Sequence, residues 1–250
     1  FQMAVSMAVT LVKDKFKKMR MDYSNIVVFA NTMDVGKYLG GANITMQTQN
    51  GIEYFKDLLG ACTVIVSSEI PEGKVIQENY VGKNLANYDS MLVLSHFKGH
   101  PMGGYGGAIK QLSIGVASSF GKAYIHGAGE PEKIWTADHD SFLESMADAA
   151  KSVVEYFDGN IVYINVMKNM SVDCDCCAVA EDPCMADIGI LASTDPIAID
   201  QACIDLVYAQ TEDPGRDHLL ERIESRNGVH TIEAAADLGY GCREYELIEI

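Results

Sequence analysis

Apolar residues along this chain recur at two spacings, one helical and one extended. From Met3 to Met19, Val5, Val9, Val12 and Phe16 keep a helical period with lysines between them, which predicts an amphipathic helix. Asn25–Ala30 is short and apolar and predicts a strand. Asn31-Thr32-Met33-Asp34 then reads as a helix start, with the helix running to Leu39 and stopping at Gly40-Gly41. Ile52–Leu59 predicts a further short helix, and Cys62–Ser67 and Gly73–Ile76 two more strands. Downstream, Asp89–Ser95 has the continuous apolar character of a buried strand. A loop with five glycines follows, and a helix is expected to begin near Ala108. Ser141-Phe142-Leu143-Glu144 fits a capping box. Phe142, Met146, Ala149, Ala150, Val153, Val154 and Phe157 then form one apolar helical stripe, and Gly159 stops it. Asn160–Met167 and Asp187–Ala192 predict strands. Asp195-Pro196 opens a helix whose inner face holds Ile199, Cys203, Leu206 and Val207, so Cys203 is expected in the core. The order of elements predicts an α/β fold, with a mixed or mostly parallel sheet flanked by helices and preceded by a smaller α/β segment. Ligands are expected at the strand ends.

Charge divides the chain in two. The net charge of the 250 residues is −16, but residues 1–77 hold 8 Lys and Arg against 7 Asp and Glu, whereas residues 78–250 hold 11 against 28. All six histidines and six of the seven cysteines also lie beyond residue 77. The division predicts a boundary near Gln77, with units 1–77 and 78–250. The acidic part argues against nucleic acid, whose phosphates it would repel, and allows metals or basic partners. No apolar run is long enough to predict a membrane span. Phe1–Thr10 is apolar but lacks the basic start of a secretory signal. An odd number of cysteines with no signal fits a reducing cytoplasm better than a disulfide framework. A start at Phe1 rather than Met is what a fragment or trimmed chain would have.

Two stretches carry candidate chemistry. In Ser95–Lys110, a strand ends, glycines follow, and a helix starts, with His96, Lys98, His100 and Lys110 in and around the loop. Gly103, Gly104, Gly106 and Gly107 would let a ligand approach the backbone closely, and Lys98 and Lys110 could meet an anionic cofactor. The spacing is neither that of a Walker loop nor that of a dinucleotide fingerprint. The alternative is a solvated surface turn. The second stretch, Asp173–Cys184, holds Cys174, Cys176, Cys177 and Cys184 with four carboxylates. Thiolates bind soft or borderline metals, but C-x-C-C-x6-C is neither a ferredoxin run nor a zinc ribbon. Adjacent Cys176 and Cys177 do not easily face one site, so at most three of the four are expected to ligate together. Redox-active thiols, or cysteines without a role, are the competing readings. His126, expected to follow a short strand and precede a glycine turn, is a further acid/base candidate. His218 and His230 fall in apparent helices and are expected to be structural.

Three resemblances add to these readings. Val27–Asp34, Tyr38–Thr45, Gln47–Gly51, Phe55–Leu59, Val64–Ser68 and Gly73–Ile76 resemble a stretch of tailed-phage major capsid proteins. That likeness implies self-association through residues 1–77. Residues 78–250 resemble the uncharacterised Fe–S centre proteins (domain of unknown function, family number 362). The likeness rests on Tyr88-Asp89-Ser90, Ser95–Lys110, Asp173-Cys174-Asp175-Cys176-Cys177, Asp187–Ser193 and Asp195-Pro196 with Ile199-Asp200-Gln201-Ala202. Ala123–Asp140 stands where many members carry a ferredoxin-type insert. More distantly, His100, Lys110 and His126 are spaced as in nickel-dependent lactate racemases. There the lysine tethers a nickel-bearing nucleotide and the histidines serve as ligand or acid/base. The resemblances imply a metal- or nucleotide-cofactor-dependent redox or racemase-like enzyme. Its acid/base residues would be His96, His100 and His126. Its cofactor would be iron, nickel or a phosphorylated nucleotide, and its partner a small-molecule substrate or redox protein. The alternatives are a self-assembling capsid fragment, or a composite chain with no joint function.

Overall fold

The computed structural model describes residues 26–29, 67–70, 72–177, 179 and 181–249. The helices expected at 3–19, 31–39 and 52–59, most of the 62–67 strand and most of the capsid-like stretch lie outside those residues. In chain order the strands are β1 (Ile26–Phe29), β2 (Ser67–Glu69), β3 (Glu78–Tyr80), β4 (Ser90–His96), β5 (Lys98–His100), β6 (Gly104–Gly106), β7 (Ile161–Met167) and β8 (Gly189–Ser193). The helices are α1 (Ala108–Lys110), which runs on as a π turn over Gln111–Gly115, α2 (Ser119–His126), α3 (His139–Tyr156), α4 (Pro196–Ala209), α5 (Arg216–Ser225) and α6 (His230–Asp237).

The main sheet has the order β1-β4-β7-β8. β1, β4 and β7 run parallel, and β8 pairs antiparallel with β7 at the edge. The expected mixed α/β architecture is therefore what the chain adopts. Every residue of β7 is buried, as a strand covered on both faces requires. Alternation sends Ile161, Tyr163 and Met167 toward the main core, together with Met91, Val93, Ile197, Cys203 and Val207. Val162, Ile164 and Val166 join Leu92 on the other face. α4 begins where the sequence indicates. Asp195 caps it, its carboxylate accepting from the N–H groups of Ile197 and Ala198, and Pro196 fills the first turn.

Four local expectations are corrected. Gly73–Ile76 is not a strand, because its donors are used elsewhere. The N–H groups of Lys74, Val75 and Ile76 all point at the buried carboxylate of Asp148 on α3, at 2.8–2.9 Å. α3 is capped by Asp138 rather than Ser141. Ser141 N–H donates to the Asp138 carboxylate at 3.0 Å, and the helix starts at His139. The segment before His126 is α2 rather than a strand, capped by Ser118, which accepts from Gly121 N–H. The glycine stretch is not a pliant loop, because β5 and β6 form a small antiparallel hairpin whose two strands are buried. Two of its glycines are demanded by contact. A Cβ on Gly99 would lie 2.3 Å from the Val172 carbonyl oxygen. Gly104 has φ +77° and packs its α-carbon side against Gly228.

Candidate functional site

The site forms where the hairpin meets the segment after β7. That segment is tied down first through its backbone, Gly99 N–H donating to the Ser171 carbonyl at 2.8 Å. Its acidic residues then fix it from two sides. Asp173 pairs with Arg222 of α5 at 3.4 Å. Asp175 pairs with His96, at the end of β4, at 2.9 Å and with Lys98 of β5 at 3.0 Å. Burial alone would raise the Asp175 pKa, but the His96 hydrogen bond and the Lys98 charge outweigh it and hold the carboxyl well below its ordinary value. Because anchoring aspartates alternate with cysteines, Cys174 and Cys176 are presented together.

Cys174 is fully buried and Cys176 is exposed. Their sulfurs lie 2.8 Å apart, with the Cys176 thiol donating to Cys174. Lys110 Nζ lies 3.6 Å from Cys174 Sγ. His100 is buried on the other strand end of the hairpin turn, and its ligand atom lies with both sulfurs in one group whose members are all within 4.8 Å of one another. The Cys176 hydrogen bond is the largest influence on Cys174. Together with the His100 hydrogen bond and the charges of Lys110 and Lys98, it outweighs burial and keeps the thiol far more acidic than a free cysteine. Cys176, which donates to that sulfur and gives up part of its hydration to do so, is shifted the other way. Burial lowers the His100 pKa to about 4 and also lowers that of Lys110.

The tautomer of His100 follows from its partners. Its Nδ1 accepts from the N–H groups of Met102 (3.2 Å) and Gly103 (2.9 Å), so the proton of the neutral ring sits on Nε2. His100 therefore faces Cys174 as an N–H donor, in keeping with their hydrogen bond. His96 has both ring nitrogens engaged by oxygen acceptors, Asp175 and the Lys168 carbonyl, and acts on the site by positioning Asp175. His126 is not in the sulfur group. It ends α2, stacks on Phe142 at 5.0 Å and donates from Nδ1 to the Lys122 carbonyl, which leaves Nε2 with a free lone pair. Burial, and more weakly the charge of Lys110, depress its pKa. Cys177 and Cys184 also stay outside the group, and the Cys184 thiol donates to the Met170 carbonyl at 3.4 Å. Gly106 lies against Lys98 and Lys110, where a Cβ would come 3.5 Å from Lys98 Nζ. Gly103 lies beside His100, and Gly104 makes the tight turn.

Sequence reasoning missed the residue that holds this arrangement. Asp200 on α4 is fully buried and accepts from four donors: Ala108 N–H (2.7 Å), Ile109 N–H (3.0 Å), Asn165 Nδ2 (2.7 Å) and the Tyr105 hydroxyl (3.1 Å). It thereby fixes the turn from which Lys110 reaches Cys174. Gly107 is needed there, because a Cβ would lie 2.4 Å from Asp200 Oδ1. The available signal was a lone carboxylate on an otherwise apolar helix face.

A family model described as "Domain of unknown function (DUF362)" matches residues 6–205. Neither curated proteins nor solved structures yield a match. Among the described residues, no helix is long and apolar enough to cross a membrane.

Proposed function

The chain belongs to the DUF362 family, and from that premise we propose that it is a metal-dependent enzyme whose metal ligands are the thiolates of Cys174 and Cys176. The single observation that carries this reading is the convergence of His100, Cys174 and Cys176 within 4.8 Å. The donor set favours a thiophilic transition ion such as iron or nickel over magnesium or calcium, which prefer oxygen ligands. With Nε2 protonated, His100 supports the Cys174 sulfur as a donor and keeps it anionic. Lys110 does the same by charge. The buried location of Cys174 keeps water from that side, while Cys176 faces outward and leaves room for a small substrate or redox partner. The metal, when bound, supplies Lewis-acid or electron-transfer chemistry next to those groups. Two thiolates on one tetrahedral ion stand about 3.8 Å apart, given bonds of about 2.3 Å. The sulfurs must therefore part by about 1 Å to take the ion, which rotation of the exposed Cys176 side chain allows.

The test is cobalt loading of the fully reduced chain without oxygen. We expect about one equivalent per chain and a thiolate-to-cobalt charge-transfer band, both lost in Cys174→Ala and Cys176→Ala and both retained in Cys184→Ala. A band of equal strength in Cys174→Ala, or no uptake by the reduced wild type, refutes the proposal.

A further inference from the structure

We propose that Cys174 and Cys176 also form a reversible dithiol–disulfide couple, oxidised by a low-molecular-weight disulfide that enters at Cys176 and is resolved by Cys174. The inference deepens the metal reading, because the same two sulfurs would be its ligands, and closing the disulfide would shut the metal site. It stands on geometry that does not require the metal.

Three features of the pair support it. The sulfurs are 2.8 Å apart, well inside the contact distance of two sulfur atoms, so little motion separates the dithiol from the bonded form. Their exposures differ, with Cys176 reachable from solvent and Cys174 at 0 %. An external disulfide must therefore meet Cys176 first, and the mixed disulfide it forms lies directly in front of the Cys174 sulfur. Finally, the cation of Lys110 stands 3.6 Å from the Cys174 sulfur that has to attack. Cys177 is adjacent in sequence, but it is held through its own N–H to the Cys174 carbonyl and is not in the sulfur group.

The step balances as an ordinary exchange. The Cys176 thiol passes its proton across the hydrogen bond to the Cys174 sulfur, the Cys176 thiolate attacks the small disulfide RSSR, an S–S bond forms to one R–S half, and the other half leaves and takes the proton back from Cys174. The Cys174 thiolate then attacks the Cys176 sulfur, the second R–S half leaves, and the Cys174–Cys176 bond closes. One thiol proton and one negative charge pass to the two departing R–S groups, giving one RSH and one RS⁻. The protein loses two electrons, and the disulfide gains them. With only one residue between the cysteines the closed ring is small and strained, so the bond is expected to be readily reduced rather than structural.

The experiment uses the full chain, reduced and treated with chelator, then exposed to oxidised glutathione. Intact mass and peptide mapping are the readouts. The wild type is expected to lose two hydrogens without retaining glutathione, with the new bond mapped to Cys174–Cys176. Cys174→Ser is expected to accumulate about one stable glutathione per chain at Cys176, and Cys176→Ser to give neither product at the buried Cys174. A bond mapped to Cys176–Cys177, equal glutathione retention in wild type and Cys174→Ser, or no oxidation at all overturns the proposal. These outcomes are independent of metal uptake, which is read on reduced chain. Cobalt binding with no disulfide sinks only this inference, and a disulfide with no cobalt binding sinks only the metal reading.

Discussion

Removing the Asp200 carboxylate is the sharpest test of how the site is held. In Asp200→Ala, four donors lose their acceptor at once: Ala108 N–H, Ile109 N–H, Asn165 Nδ2 and the Tyr105 hydroxyl. Ala108 and Ile109 are at 0 % exposure, so water reaches their N–H groups only if it enters the space left by the side chain. A buried donor left unmade costs roughly 1–3 kcal/mol. Taking the low end for all four, because a trapped water would relieve some of them, gives a loss of about 4 kcal/mol, a large share of a typical total stability. The pH dependence adds an independent signature. Burial raises the Asp200 pKa from 3.8 to about 6, in spite of its hydrogen bonds. A carboxyl raised on folding contributes most below its unfolded pKa, and that contribution is lost as pH rises through the folded value. About two pH units correspond to about 3 kcal/mol. The gap between wild type and variant is therefore larger near pH 4 than at pH 7. The protonated carboxyl keeps its partners at low pH, because the Tyr105 hydroxyl can reverse from donor to acceptor. Urea unfolding should be followed by circular dichroism, since Trp135 is 80 % exposed and reports poorly on the core. A loss below about 1 kcal/mol at pH 7, or a gap that shrinks on acidification, refutes the argument.

Gly99→Ala places a Cβ 2.3 Å from the Val172 carbonyl oxygen, with backbone on both sides of the clash. We expect a lower Tm, about 1–3 kcal/mol of lost stability and weaker cobalt uptake, and an unchanged melt would mean that β5 does not pack there. Asp148→Ala frees the N–H groups of Lys74, Val75 and Ile76, so their amide exchange should accelerate and stability fall by about 3 kcal/mol. Wild-type protection at those three amides would contradict the role given to Asp148. Lys110→Met takes away the cation 3.6 Å from Cys174 Sγ, so cobalt uptake by the reduced chain should weaken. Uptake equal to that of the wild type would assign Lys110 a different task.

What could be read from the sequence was whatever neighbouring residues decide. β4, β7, β8 and α4 appear nearly where periodicity and capping residues put them, because a strand's alternation and a helix's Asp-Pro start are local facts. One misplacement has a cause that neighbouring residues do not show. Gly73–Ile76 has the composition of a strand, yet its donors are claimed by Asp148, which lies over 70 residues away. The candidate chemistry behaved in the same way. The types of residue were legible in Ser95–Lys110 and Asp173–Cys184, but not which of them would meet. Cys174, Cys176, Cys177 and Cys184 are equivalent by type. They are separated by Asp173 holding to Arg222 and Asp175 to His96 and Lys98, contacts that span from 49 to 79 residues. His100 and Lys110 reach the same sulfur for a reason equally remote in sequence, the clamp of Asp200 on the turn after the hairpin.

The charge of the chain is the clearest case in which a global quantity and a local one differ. A net charge of −16 would, if spread evenly, disfavour a thiolate and any anionic ligand. Surface charge, however, is screened over about 8 Å at physiological ionic strength, whereas groups in the interior act on one another with little screening. Within hydrogen-bonding range of the two sulfurs and of Asp175 stand Lys98, Lys110, His96 and His100, and the carboxylates nearest to them are already paired. The local balance therefore favours an anionic sulfur at Cys174 against the bulk field. That is the condition both for a thiolate ligand to a metal and for a thiolate that attacks a disulfide. It depends on the hairpin remaining closed against the 171–176 segment, so the backbone contact of Gly99 with Ser171 and Val172 bears as directly on the chemistry as the lysines do.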